Sequence, residues 1–148
     1  MTRFREAAAE AERIGAAHIS QVSRLALFAV LVRQRHDDEA LELAAPLLQD
    51  VRRAGAWPQV WTTLRIAAEL LAAHGRREDS VFLLAAAEAA PTAPPLVSED
   101  VSRYARLTEQ LRHHLGGTVV ARISDLAAGV PRSHVVDRAA ALLADLRR

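Results

Sequence analysis

Apolar residues recur at helical spacing along nearly the whole chain, and no segment shows the sustained apolar–polar alternation typical of a strand. Glycines and prolines fall between the apolar runs, where they end one helix before the next begins. Aromatic residues make up only 4% of the chain and β-branched residues are scattered, which argues further against a sheet. The pattern therefore predicts an all-α protein.

The chain contains an internal repeat. Residues 35–41 and 75–81 each follow an apolar helical run and open another one. Ala40 and Ser80 hold matching positions, so the period is 40 residues. A period of this length is typical of stacked helical hairpins, because such a hairpin cannot bury its apolar face alone. We therefore expect stacked antiparallel helical hairpins of the tetratricopeptide-like kind, with a C-terminal helical cap.

The whole chain, residues 1–148, is predicted to form a single α-helical repeat domain. A length of 148 residues suits one domain and allows about 68–70% of the unfolded surface to be buried. The expected parts are, in order, an N-terminal helix at 1–16, two helical hairpins at 18–90, a proline linker at 91–97 and C-terminal helices at 98–148.

Several local signals refine these helices. The run Leu25–Val32 is apolar on every side, so we expect it in the middle of the core, with a dimer interface as the alternative. Pro46 lies well inside the third helix and predicts a kink or break there. Gly55 and Gly75 are expected to end helices in the left-handed conformation. The helix after the prolines is expected to bury an edge made of Val101, Tyr104, Leu107 or Thr108, and Leu111.

Composition excludes several classes of chemistry. The chain has no cysteine, so it contains no disulfide, thiolate metal site or cysteine nucleophile. Its basic residues are all arginine, which rules out a Schiff-base or P-loop lysine. A formal charge of +1 gives no bulk attraction for nucleic acid or anionic lipid. Residues 1–12 lack the apolar core of a signal peptide, and no apolar run reaches the roughly 20 residues of a membrane span. We therefore expect a cytoplasmic protein.

No constellation of titratable residues points to catalysis or metal binding. His113 and His114 are adjacent, so they face different sides of a helix and cannot share a metal. His36 and His74 fall at helix ends, where a partial positive charge is favourable. The adjacent carboxylates at 37–38 suit the start of a helix for the corresponding reason. We expect no enzyme activity, no metal and no cofactor.

Trp57, Trp61 and Arg65 are the candidate binding residues. They lie one helical turn apart on one face of the fourth predicted helix. Together they would form a groove for a planar or anionic group, because large amphipathic aromatic side chains anchor ligands and partners. The alternative interpretation is that one or both tryptophans fill the core between the hairpins.

Residues 123–136 have features of a helix-turn-helix. Gly129 stands at the turn, and Arg132, Ser133 and His134 form the polar start of the second helix, where they would contact bases or phosphates. Against this interpretation, Asp125 stands where a small residue is usual, and the low net charge provides little attraction to phosphate. A small helix-turn-helix DNA-binding regulator is therefore the alternative function.

Segments 61–65, 70–75 and 83–89 resemble the C-terminal helical region of large LuxR-type and antibiotic-regulatory-protein-type ATPase transcription regulators. The similar features are a leucine/alanine helix ending at Gly75, an acidic turn and a helix with the run 83–89. A proline-containing spacer, a helix with Tyr104 and a glycine turn at Gly129 follow in the same order. The resemblance covers roughly residues 20–146. It implies a tetratricopeptide-like module that lies beyond a nucleotide-binding and a DNA-binding domain in full-length relatives.

These observations lead to one expected function. The chain is interpreted as a non-catalytic protein- or ligand-binding module for signal transduction in a bacterial transcription regulator. Its expected partners are other domains of a parent regulator or a separate protein, together with a small-molecule effector. A homodimer through the second helix is a further expectation, whereas direct nucleic-acid binding and membrane association are not expected.

Overall fold

The computed structural model describes residues 2–13 and 17–148. Over these residues the chain is helical and contains no strand, which confirms the all-α prediction. The predicted N-terminal helix is described as far as Arg13, and its last residues lie outside the described part. The helices are α1 (Thr2–Arg13), α2 (Ala17–Arg33), α3 (Asp37–Arg53), α4 (Trp57–Ala73), α5 (Arg77–Ala89), α6 (Glu99–Leu115), α7 (Gly117–Ala128) and α8 (Arg132–Leu146).

Some helix boundaries and turns recur at a spacing of 40 residues. Helices α4 and α5 begin 40 residues after α2 and α3. The turns after α2, α3 and α4 place Arg35, Gly55 and Gly75 at φ values of 61°, 66° and 77°, which confirms both predicted glycine stops. In each turn this residue donates its N–H to the carbonyl three residues back, and the next residue donates to the carbonyl five back. This is the Schellman pattern, which satisfies helix-end carbonyls.

The helices pack around one main apolar core. Helix α2 packs on α3, α4 packs on α5, and α2 and α3 both contact α4. Helix α1 lies beside α2, and α8 returns across α3, α4 and α5. The tetratricopeptide-like stacking of the two hairpins stays a prediction. No described helix is long and apolar enough to cross a bilayer.

The run Leu25–Val32 is only partly enclosed. Leu27, Phe28, Leu31 and Val32 are buried in the main core, whereas the other four residues of the run are half-buried. The buried four pack inside this chain and leave one side of α2 less covered than the apolar pattern predicts.

Pro46 does not break α3, so the predicted break is wrong, whereas the predicted kink stays a prediction. The helix runs without interruption through Pro46 from Asp37 to Arg53. Both Pro46 and Glu42 are exposed. Proline has no N–H to donate to the Glu42 carbonyl, and an exposed position makes this loss less costly because water is available as a partner.

Candidate functional site

Two of the three candidate binding residues hold the proline segment, residues 91–97, against α4. The Trp61 indole donates a hydrogen bond to Thr92 Oγ1 at 2.9 Å. One turn further along α4, Arg65 Nη1 donates to the Pro94 carbonyl at 2.6 Å. Trp61 is 3% exposed and Arg65 is 9% exposed. Trp61 therefore belongs to the core, where its polar edge is satisfied by the segment that follows α5.

Trp57 lies at the start of α4 and is half-buried. Its ring centroid is 6.1 Å from that of Trp61, with the two planes tilted by 39°. The Arg132 guanidinium, at the start of α8, lies 4.0 Å from the Trp57 ring centroid, a cation–π distance. Trp57 thus contributes to the attachment of α8 to α4.

The structure does not gather these three residues around one cavity. Trp61 and Arg132 line a recess of about 310 Å³, whereas Arg65 lines a different cavity of about 680 Å³. Trp57 lines neither of them. The three residues lie on one helix, α4, but their tertiary contacts differ: Trp61 contacts a loop, Trp57 a neighbouring helix, and Arg65 a cavity.

The larger cavity lies between α5, α6 and α7 and is called here the α5–α6–α7 cavity. It is lined mainly by apolar side chains from all three helices and from the proline segment. The large ones include Leu84, Leu96, Val101, Tyr104, Leu111 and Val120. Val101 was predicted to be buried, but it is 51% exposed.

The cavity is bounded on one side by α6, a helix that buries few of its side chains. Only Tyr104 and Leu111 of α6 are buried. Leu111 joins a small apolar cluster with Val81 and Val120, separate from the main core. Tyr104 joins a polar network centred on Glu69. Neither attachment fills the space along α5, so apolar side chains there face a gap.

Glu69 joins α2, α4 and α6. Its carboxylate accepts a hydrogen bond from the Tyr104 hydroxyl at 2.7 Å and from Arg33 at 3.3 and 3.4 Å. Arg103 approaches it at 3.4 Å. Burial of the phenol, together with the adjacent Glu69 charge, raises the pKa of Tyr104 well above 10.0. Burial lowers the pKa of Arg33, but its hydrogen bond and ion pair with Glu69 outweigh burial and raise it overall.

The charged residues of the α5–α6–α7 cavity differ in depth and in pairing. Arg65 is buried and, within the described chain, forms no ion pair. Glu88 and Asp125 are exposed and have no described hydrogen-bonding or ionic partner. Arg112 is exposed and paired with Glu109 at 3.0 Å. The cavity therefore has one unpaired cation in its buried part and two unpaired carboxylates facing solvent.

The first turn of α8, which carries the proposed DNA-contacting residues, is partly engaged within the chain. Helix α7 packs on α5 and α6, whereas α8 packs on α3, α4 and α5. Arg132 covers Trp57, and the Ser133 carbonyl accepts a hydrogen bond from Arg52 at 3.3 Å. His134 is exposed. In the described residues, no three histidines or carboxylates converge as a metal site would require.

No family model, curated relative or solved structure matches this chain. The resemblance to LuxR-type and antibiotic-regulatory-protein-type regulators stays a prediction. The α5–α6–α7 cavity was not found from the sequence. The periodic apolar edge of α6 was a usable signal, since that edge has more apolar surface than the structure buries.

Proposed function

We propose that this chain is a non-catalytic, ligand-binding regulatory module that binds a small molecule in the α5–α6–α7 cavity. The observation that carries the proposal is the cavity itself, at about 680 Å³. Small-molecule sites are typically concave, about 300–1,000 Å³ in volume, and mostly apolar with a few polar groups. This cavity has that volume and that composition.

The proposed mechanism is binding without chemistry. A ligand between α5, α6 and α7 adds the apolar contacts that α6 lacks in the free chain, and therefore draws α6 onto its neighbours. A ligand shifts a conformational equilibrium only by its differential affinity for the two states. The contacts that a bound molecule makes with α6 supply that difference in affinity. A neighbouring domain or protein partner then responds to the position of α6.

The setting that we propose is a cytoplasmic bacterial transcription regulator, with its other domains or a separate protein as partner. The family resemblance supports this setting and the cavity supports ligand binding, so the two parts are independent. The alternative, DNA binding through the turn at Gly129, gains no support from the described contacts. A helix-turn-helix presents its second helix to the major groove, whereas the first turn of α8 contacts α3 and α4.

A neutral fluorescent probe, N-phenyl-1-naphthylamine, tests the cavity directly. We expect it to bind one per chain with increased fluorescence, and Ala105→Trp to abolish binding. Ala105 is exposed on α6 and lines the cavity, so the indole fills the space without disturbing the core.

Ala140→Trp is the matched control, since Ala140 is exposed on α8, away from the cavity lining. This variant should bind the probe as the parent chain does. Equal probe binding by the Ala105→Trp variant, or no binding by the parent chain, contradicts the proposal.

A further inference from the structure

We propose that the ligand of the α5–α6–α7 cavity is an amphiphilic anion, with an apolar chain along α5 and α6 and a carboxylate paired with Arg65. This inference rests on the proposed function and goes beyond it by naming the chemical class of the ligand. It comes from the contrast between a buried, unpaired cation and the apolar walls around it.

Arg65 is the only arginine among the described residues that is buried, at 9% exposure. Its one described hydrogen bond goes to the Pro94 carbonyl, and no carboxylate in the described chain pairs with it. A guanidinium carries five N–H donors and favours bidentate carboxylate partners. The Arg65 nitrogens that make no hydrogen bond keep some accessible surface, so they are open to a partner. Arg65 therefore has unused capacity to bind an anion.

Other partly buried arginines of this chain do have acidic partners. Arg24, with 16% of its side chain exposed, pairs with Asp50 at 2.9 Å. Arg33, with 27% exposed, pairs with Glu69 at 3.3 Å. Arg65 is less exposed than either, and it lines the cavity instead of forming an ion pair. An anionic ligand group supplies Arg65 with an acidic partner, as side chains of the fold do for Arg24 and Arg33.

The remaining lining determines the rest of the ligand. Leu84, Leu96 and Val101 present apolar surface along the cavity, so the body of the ligand is a hydrocarbon chain or ring. Glu88 and Asp125 line the cavity from exposed positions and repel a second carboxylate there. The anionic end therefore lies inward at Arg65, and the apolar body extends toward α6.

Calorimetric titration with decanoate, decanol and decyltrimethylammonium, all below their aggregation concentrations, tests this assignment. The three probes share one chain and differ in head-group charge. We expect decanoate to bind about tenfold to a hundredfold more tightly than decanol, the range for a hydrogen bond to a charged group. Decyltrimethylammonium should bind no better than decanol.

Arg65→Gln should remove the advantage of decanoate over decanol while leaving decanol binding unchanged, and Arg65→Lys should keep part of it. Arg106→Gln is the charge-matched control, because Arg106 is exposed, has no described partner and lines a different recess. This control should retain the preference for decanoate.

The outcomes separate this inference from the proposed function. Equal affinity for decanoate and decanol overturns the anionic assignment but leaves the binding cavity intact. A preference for decyltrimethylammonium overturns it in favour of the carboxylates Glu88 and Asp125. Loss of the decanoate preference in Arg106→Gln, with Arg65→Gln unaffected, moves the anion to the other recess. Failure of all three ligands and of the neutral probe contradicts the proposed function itself.

Discussion

Helices α4 and α6 have the same length but opposite relations to the core. Ten of the 17 residues of α4 are buried, and only two of the 17 in α6 are. Helix α4 is apolar on most sides and is surrounded by α2, α3, α5 and α8. Helix α6 has one thin apolar edge and is otherwise charged or polar. Close packing therefore positions α4. A few specific contacts position α6, which also borders a cavity.

Core truncation should separate the two helices most clearly. Leu64 of α4 is fully buried in the main core, so Leu64→Ala should lower the free energy of unfolding by about 2–5 kcal/mol. Leu111 of α6 lies at a cavity wall in a three-residue cluster, so Leu111→Ala should cost less than half as much. Urea unfolding followed by circular dichroism measures both. Equal losses would show that α6 is as tightly packed as α4.

The Glu69 network should govern how often α6 opens. Glu69→Gln keeps an acceptor for Tyr104 but removes the charge that pairs with Arg33 and Arg103. We expect a loss of about 1.5–3 kcal/mol, the range for hydrogen bonds to charged groups. Amide hydrogen exchange should accelerate in α6 more than in α4.

Glu42→Gln is the control for this change, because Glu42 is exposed on α3 and has no described partner. It should leave stability and exchange unchanged. If Glu69→Gln accelerated exchange equally in α4 and α6, the network would not be specific to α6.

Alkaline pH provides a test of a single contact to α6. The pKa of Tyr104 is raised in the folded chain, so the unfolded chain releases this proton first as the pH rises above 10.0. Stability contributed by the protonated phenol should therefore be complete below pH 10 and fall above it. The chain has one tyrosine, no lysine and no cysteine, so no other side chain titrates there.

Tyr104→Phe should remove this alkaline decline and cost about 1.5–3 kcal/mol at neutral pH, the range for a hydrogen bond to a charged group. Thermal melts between pH 8 and 11 check the stability, and the ultraviolet absorbance of the phenolate follows Tyr104 directly. If the Tyr104 phenol of the parent chain titrated near pH 10, its hydrogen bond to Glu69 would not be formed in solution.

The smallest expected effect comes from the turn after α2. Arg35 adopts φ = 61° where the equivalent residue after α4 is Gly75. A left-handed backbone is unfavourable for a residue with a Cβ, so Arg35→Gly should stabilise the chain by about 0.5–1 kcal/mol. Its pair with Asp37 is exposed and contributes little.

Gly75→Arg is the reciprocal variant and should destabilise by about 1–2 kcal/mol. A Cβ at Gly75 meets nothing within 4 Å, so the effect is conformational rather than steric. Calorimetric melting temperatures measure both variants. A lower melting temperature for Arg35→Gly would mean that its side chain contributes more than the strain removes.

Much of the local structure could be predicted because its causes are local. The glycines at 55 and 75 relieve the left-handed turn, and the acidic residues at 37–38 favour the start of α3. Arg35 was missed because its residue type carries no signal for a positive φ; only the repeat pointed to it. The break at Pro46 was wrongly predicted because the exposure of Glu42 and Pro46 depends on how the helices pack, which is a tertiary property.

The candidate site shows the same contrast between local and tertiary causes. The sequence by itself determined that Trp57, Trp61 and Arg65 share a face of α4, because helical spacing alone sets that. Only the tertiary structure decided that the proline segment covers Trp61, that Arg132 covers Trp57 and that Arg65 lines a cavity. Those contacts join residues about thirty or more positions apart, and periodicity within one helix contains no information about which neighbour will cover it.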